Sequence, residues 1–173
     1  MTNFHALGFL GGILLVAIAI AVMKKRKQTD RYDERQIASR GMAFKAGFAT
    51  FLVCELGLFT AEIFLGKSID IFSPGTLHFL VAMAAAMVFA VVSIFKDAYF
   101  PVGQKVSKRY FFSLGMIIVL WTLLLLRGKW IDENGKLGMN VLLLAMIVLA
   151  VSILISVLIR NLMIKKEAEK DED

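Results

Sequence analysis

Apolar residues form five blocks along the chain, and short polar stretches separate them. The blocks cover residues 4–23, 46–65, 75–95, 110–126 and 137–159. Each is close to the roughly 20 residues that a helix needs to cross about 30 Å of hydrocarbon, at about 1.5 Å per residue. The pattern therefore predicts an all-α membrane protein with five transmembrane helices in a single domain, residues 1–173.

The second block has a polar extension at its start, residues 32–45. Asp33 and Glu34 fall in the first turn of that extension, where the helix dipole favours negative charge. A single helical stripe continues from it into the block: Ile37, Phe44, Phe48 and Phe51. This predicts an amphipathic cytoplasmic extension of the second helix. The sequence leaves open whether the extension lies in the interface plane, with a bend near Gly41 or Gly47, or continues straight.

Positive charge lies beside the apolar blocks rather than in a separate polar domain. The net charge is +6, with twenty lysines and arginines. Sixteen of these fall in residues 24–45, 96–109 and 160–173, and the other four are Lys67, Arg127, Lys129 and Lys136. Because cytoplasmic loops carry the excess of Lys and Arg, we expect the N-terminus outside and the C-terminus in the cytoplasm. The basic face is expected to contact anionic lipids and not nucleic acid.

Two polar segments at block ends lead to further predictions, one about a helix start and one about the tail. Ser73 precedes Pro74, a pair that predicts a helix beginning there with the serine hydroxyl as its cap. The tail, residues 160–173, ends in a run of mixed charge and is expected to be disordered.

Two carboxylates lie within the second block. Glu55 is about halfway along it, and Glu62 follows seven residues later on the same helical face, nearer the outside. A carboxylate in hydrocarbon is costly and normally faces the interior of a helix bundle. Thr122, at matching depth in the fourth block, is a candidate partner for Glu55, and Ser93 and Ser152 are others nearer the cytoplasmic end. A proton or cation step, a polar ligand pocket and a structural interhelix hydrogen bond all remain open.

The residue types needed for catalysis or metal binding do not occur in the required patterns. Cys54 is the single cysteine, and His5 and His78 are far apart in the sequence. No phosphate-binding glycine motif or metal-ligand spacing is present. Glu55 and Glu62 on one helix, without another carboxylate opposite, do not make a hydrolase pair. We therefore expect a non-enzymatic protein without catalytic residues, metal or cofactor.

Two short motifs flank the second block and the second cytoplasmic loop. The first is DERQ at residues 33–36, followed by Arg40-Gly41 and Lys45-Ala46, and the second is KDAYF at residues 96–100. In these stretches the chain resembles a family of small, uncharacterised bacterial multi-pass membrane proteins, a domain of unknown function. The resemblance implies a place in the bacterial cytoplasmic membrane, no assigned activity, and a sensing or regulatory pairing.

These observations lead to two hypotheses. The first is an accessory or regulatory membrane subunit whose cytoplasmic face binds a protein partner or a second copy. The candidate residues of that face are Asp33, Glu34, Arg35, Gln36, Arg40, Lys45, Asp97 and Tyr99. For the DERQ charges three interpretations stay open: contact with that partner, contact with the loop at residues 96–110, or only a solvated, well-capped start of a helix. The alternative is a small proton- or ion-coupled transporter that uses Glu55.

Overall fold

The computed structural model divides the chain into two units, Met1–Asp33 and Glu34–Asp173. It describes residues 32–66, 69–73, 75–101 and 106–170, without the side chains of residues 167, 168 and 170. The predicted first span, residues 4–23, lies outside the described residues. The second unit contains helices α1 (Glu34–Leu65), α2 (Thr76–Phe95), α3 (Lys108–Arg127) and α4 (Met139–Lys170).

These helices correspond to the last four of the five predicted blocks. All four are long and apolar enough to cross a membrane. The boundaries of α2 and α3 fall within about two residues of the predicted ones, which is within the usual uncertainty of helix ends. The described part of the chain is therefore all-helical, with two isolated backbone bridges that join its loops, Phe72 to Leu137 and Ile131 to Leu137.

Helix α1 is continuous from Glu34 to Leu65 and does not end at either of its early glycines. The predicted extension therefore continues into the second apolar block without a break, as one helix of 32 residues. At 1.5 Å per residue, its length is about 48 Å.

A stripe of small residues packs α1 against α2. The buried residues of α1 are Ser39, Ala43 and Gly47, spaced four apart. A Cβ atom at Gly47 would lie 2.9 Å from the carbonyl oxygen of Ala85 and 3.2 Å from the Cβ of Phe89. The two backbones therefore approach as closely as glycine permits, which is how membrane helices without bulky contacts associate. This contact fixes Gly47 opposite the segment between Ala85 and Phe89.

Among the described residues, the helices form a row in the order α1, α2, α4, α3, because only neighbours in that order pack together. Helix α2, one of the two inner helices, buries five residues, whereas the outer helix α3 buries none. Large apolar side chains therefore remain exposed on every helix. Such exposure is costly in water and is expected for helices that lie in hydrocarbon or against a partner.

The prediction that Ser73 caps α2 is wrong. Helix α2 begins at Thr76, after Gly75 in the left-handed conformation, and has no side-chain cap. The Ser73 hydroxyl instead donates a hydrogen bond of 2.6 Å to Asp132 in the loop before α4. It is therefore used to join two loops, while Pro74 lies outside the described residues.

The prediction that the tail is disordered is wrong for its described part. Helix α4 continues to Lys170 instead of ending near Ile159. The segment after Arg160 is rich in strong helix formers, and Lys165 lies 3.7 Å from Glu169 one turn later. These local preferences favour helix over disorder.

Candidate functional site

Asp97 joins three helices at one end of the row, which we call the Asp97 end. Its carboxylate accepts hydrogen bonds from Arg160 Nε at 2.7 Å and Nη2 at 2.5 Å. Its backbone carbonyl accepts a third from Gln36 Nε2 at 2.6 Å, and Gln36 also reaches the carbonyl of Phe100 at 3.2 Å. A bidentate guanidinium–carboxylate pair is strong and directional. The start of α1, the end of α2 and α4 are thus held in one arrangement.

The turn after α2 aims Asp97 at α4. Asp97 has φ of 54°, in the left-handed region. Its N–H bonds to the carbonyl of Ile94, and the next N–H, from Ala98, bonds to Ser93 at 2.8 Å. Aspartate tolerates this conformation better than most residues with a Cβ. The turn also buries Ala98 completely.

Aromatic rings continue the Asp97 end toward α3. The rings of Tyr99 and Phe100 lie 4.9 Å apart, and those of Phe100 and Tyr110 lie 5.4 Å apart, both in edge-to-face contact. Ser107 caps α3 by accepting a hydrogen bond from the backbone N–H of Tyr110. The aromatic contacts therefore link the loop after α2 to the first turn of α3.

The structure brings together only part of the predicted partner face. Gln36 and Asp97 are in contact, and Tyr99 lies half-buried beside them. Asp33, Glu34 and Arg35 are exposed. Two predicted residues lie further along α1: Arg40, half-buried, and Lys45, exposed. Sequence reasoning missed Arg160, because an arginine directly after an apolar block is ordinarily interpreted as a topology signal.

Glu55 pairs with a histidine on the neighbouring helix. His78 Nδ1 lies 3.0 and 3.1 Å from the two carboxylate oxygens of Glu55. The suggested partner, Thr122, instead donates to the carbonyl of Ile118 in its own helix at 2.8 Å. The reason is the order of the row, which separates α1 from α3 by two helices.

Glu62 makes a contact of its own, separate from the Glu55–His78 pair. Glu62 accepts a hydrogen bond of 3.1 Å from the backbone N–H of Ile69. Asp70 pairs with Lys136, across the two loops at this end of the row. Glu62 therefore fixes the chain as it leaves α1 and does not extend the Glu55–His78 pair.

Glu55 lies near one end of the neighbouring helices, whereas the sequence placed it at mid-depth. The helices α2 and α3 together with α4 up to Arg160, which we call the three-helix frame, are level at contacts near both ends: Asp97 meets Arg160 at one end, and Asn140 reaches the carbonyl of Leu125 at the other. His78 is only the third residue of α2. The small-residue stripe sets the register of α1 against α2. As a result, the apolar block of α1 is displaced toward the N-terminal end of α2.

The opposite end of the row, the Asp132 end, is closed by paired loops. Leu137 donates a backbone hydrogen bond to Ile71 and accepts one from Ser73, each 2.8 Å long. Asp132 accepts hydrogen bonds from the Ser73 hydroxyl and from the backbone of Asn134 and Lys136. The Ser73 hydroxyl first, and then the Lys136 N–H, hold the pKa of Asp132 below its ordinary value. These contacts join the loop before α2 to the loop before α4.

Two further features of the described residues bear on ligand binding: the metal-binding side chains and an apolar groove. No group of three or more His, Cys, Asp or Glu side chains among them is close enough to hold a metal ion. A groove of about 280 Å³ lies between α2 and α4, lined by side chains such as Leu80, Met83, Met87 and Val148. Without polar groups to orient a ligand, the groove indicates imperfect helix packing or a lipid chain.

Comparison of the chain with protein families, with curated proteins and with solved structures finds no match.

Proposed function

We propose that the protein is a non-enzymatic, multi-pass accessory or regulatory subunit of the bacterial cytoplasmic membrane. Its Asp97 end faces the cytoplasm and binds a protein partner. The observation that supports this proposal is the contact between two sequence motifs: Gln36 of the DERQ stretch bonds to the backbone of both Asp97 and Phe100 in the KDAYF stretch. The two motifs therefore form one surface.

That surface is suited to recognition because its backbone is fixed while its charges stay available. The Asp97–Arg160 pair and the Gln36 hydrogen bonds hold the backbone in place. Glu34 and Arg35, directly before Gln36, are exposed and make no ion pair or side-chain hydrogen bond with the described residues. Adjacent charges of opposite sign on a rigid helix end can select a partner with the complementary arrangement.

The orientation in this proposal rests on charge. Among the described residues, most of the lysines and arginines lie on the side where α1 begins and α4 leaves the three-helix frame. Short loops of this composition are retained on the cytoplasmic side.

Charge reversal tests the partner surface. We expect Glu34→Lys combined with Arg35→Glu to remove one or more proteins that co-purify with the wild-type chain from detergent-solubilised membranes. The matched control is Lys129→Glu with Glu133→Lys, which swaps two exposed charges at the Asp132 end. An unchanged set of co-purifying proteins in the first variant would contradict the proposal. Equal melting temperatures of both variants would show that the fold is intact.

Ion-coupled transport is the second candidate, and the Glu55–His78 pair favours it. The His78 side chain is 69% exposed and that of Glu55 is 26% exposed, so both titratable groups are accessible. On this hypothesis, Glu55→Gln abolishes proton-linked flux into proteoliposomes while Glu62→Gln retains it. Full flux in Glu55→Gln would rule out this role.

A further inference from the structure

A basic residue of α1 lies within the depth of the three-helix frame. Gly47 is opposite the segment between Ala85 and Phe89, and Gln36 is opposite Asp97. This antiparallel register places Lys45 at about the level of Val88. At 1.5 Å per residue, that level is about 10 Å inside the end of α2. If the frame spans the bilayer, as the proposed function assumes, Lys45 is within the hydrocarbon.

Lys45 points away from α2. It lies two residues from Ala43 and two from Gly47, about 200° round the helix from each. Since those two residues face α2, the lysine occupies the opposite side of α1, where it is exposed. It makes no ion pair or side-chain hydrogen bond within the described part of the chain. A charged group at such a depth normally faces protein or water and has a counter-charge.

The surface around Lys45 is shaped for a close helix contact. Gly41 and Ala49 lie one turn before and one turn after it, and both are exposed. A Cβ atom at Gly41 would meet no other atom within 4 Å. Leu52, also exposed, continues the same side of the helix. Small residues on both sides of the lysine allow another backbone to approach, so that the ammonium group reaches a side chain on it.

We infer that this side of α1, the Lys45 face (Gly41, Lys45, Ala49 and Leu52), docks a transmembrane helix of a different protein that carries a carboxylate opposite Lys45. The inference rests on the proposed membrane placement and adds a second contact, inside the membrane, to the partner surface at the Asp97 end.

Charge complementarity selects this occupant over three others. Residues 4–23 of this chain contain no Asp or Glu, so they supply no counter-charge. A second copy in the same orientation would bring Lys45 toward Lys45 at the same depth. A lipid phosphate lies at the interface, about 10 Å away, which is more than the roughly 6 Å that a lysine side chain extends. A partner helix with a buried acid meets the requirement directly.

Zero-length cross-linking tests the inference in native membranes. A membrane-permeant carbodiimide joins an amine to a carboxylate that it contacts. We expect a covalent adduct between the Lys45 peptide and an apolar peptide of another protein, linked through its Asp or Glu. The matched control is Lys45→Arg, which keeps the positive charge but cannot form this product, so the adduct should disappear while the partner still co-purifies.

A charge exchange provides the second measurement. Lys45→Glu should reduce co-purification of the cross-linked partner at least tenfold, and replacing the partner's linked acid with lysine should restore it. Absence of a Lys45 adduct, an adduct within this chain or to a second copy, or unchanged co-purification of Lys45→Glu would each overturn the inference. An adduct that persists in the Glu34→Lys, Arg35→Glu variant with unchanged partners would contradict only the proposed contact at the Asp97 end.

Discussion

Asp97 meets two requirements that few residues combine. Its backbone adopts a left-handed conformation, and its carboxylate binds Arg160 through two hydrogen bonds. Glycine would satisfy the first requirement and lose the second, whereas glutamate would keep the charge at a less favourable backbone position. The identity of the residue is therefore explained by a local conformational need and a long-range contact together.

Substitutions at Asp97 separate these two contributions. Asp97→Asn keeps the tolerance for positive φ and loses the charge, so we expect it to lower the free energy of unfolding by only about 1 kcal/mol, because the side chain is half exposed. Asp97→Ala should cost about 1–2 kcal/mol more, through backbone strain. Unfolding in mixed detergent micelles measures both. Equal losses in the two variants would show that the backbone conformation contributes nothing.

The polar residues show how much of the residue-level structure could be predicted from the sequence. An acid inside an apolar block requires a partner, and the structure supplies one for Glu55. The partner itself, His78, was not predicted for it, because position within a block gives depth along one helix and no register between helices. Arg160 was missed for the same reason: its role depends on which helix end lies beside it.

At the scale of whole helices, small residues determine register more than hydropathy does. The apolar block of α1 is centred near Glu55, yet the buried stripe that packs against α2 lies nearer the beginning of the helix. In hydrocarbon, apolar side chains are equally well solvated by lipid, so close backbone contact decides how helices align. Block boundaries were therefore predictable from the sequence, and the shift of α1 relative to its neighbours was not.

Gly47 provides the test of this register. A methyl group there would lie 2.9 Å from a backbone oxygen of α2, so Gly47→Ala should force the helices apart and lower the free energy of unfolding by about 1–3 kcal/mol. Gly57→Ala is the matched control on the same helix, because a Cβ there meets no atom within 4 Å. We expect that control to be neutral or to stabilise by up to about 1 kcal/mol. Similar effects of the two substitutions would contradict the close contact.

At the scale of the whole molecule, the two ends of the row differ in composition and in construction. At the Asp97 end, side-chain contacts that involve charged groups hold the helices together. At the Asp132 end, hydrogen bonds between backbone segments hold the loops together. Gln36 near the start of α1 and Arg160 late in α4 both contact Asp97, so the series of described helices begins and ends at the same end of the row. An even number of helices that alternate in direction, here four, produces this arrangement.

Cysteine labelling tests the proposed orientation, in which the Asp97 end faces the cytoplasm. In a Cys54→Ser background, Glu133→Cys at the Asp132 end should react with a membrane-impermeant maleimide on intact cells. Lys108→Cys and Glu169→Cys, whose parent residues are exposed at and beyond the Asp97 end, should react only after permeabilisation. The reverse pattern would place Glu34 and Arg35 outside and remove the cytoplasmic partner surface. Labelling of all three positions on intact cells would contradict the four crossings themselves, and with them the depth assigned to Lys45.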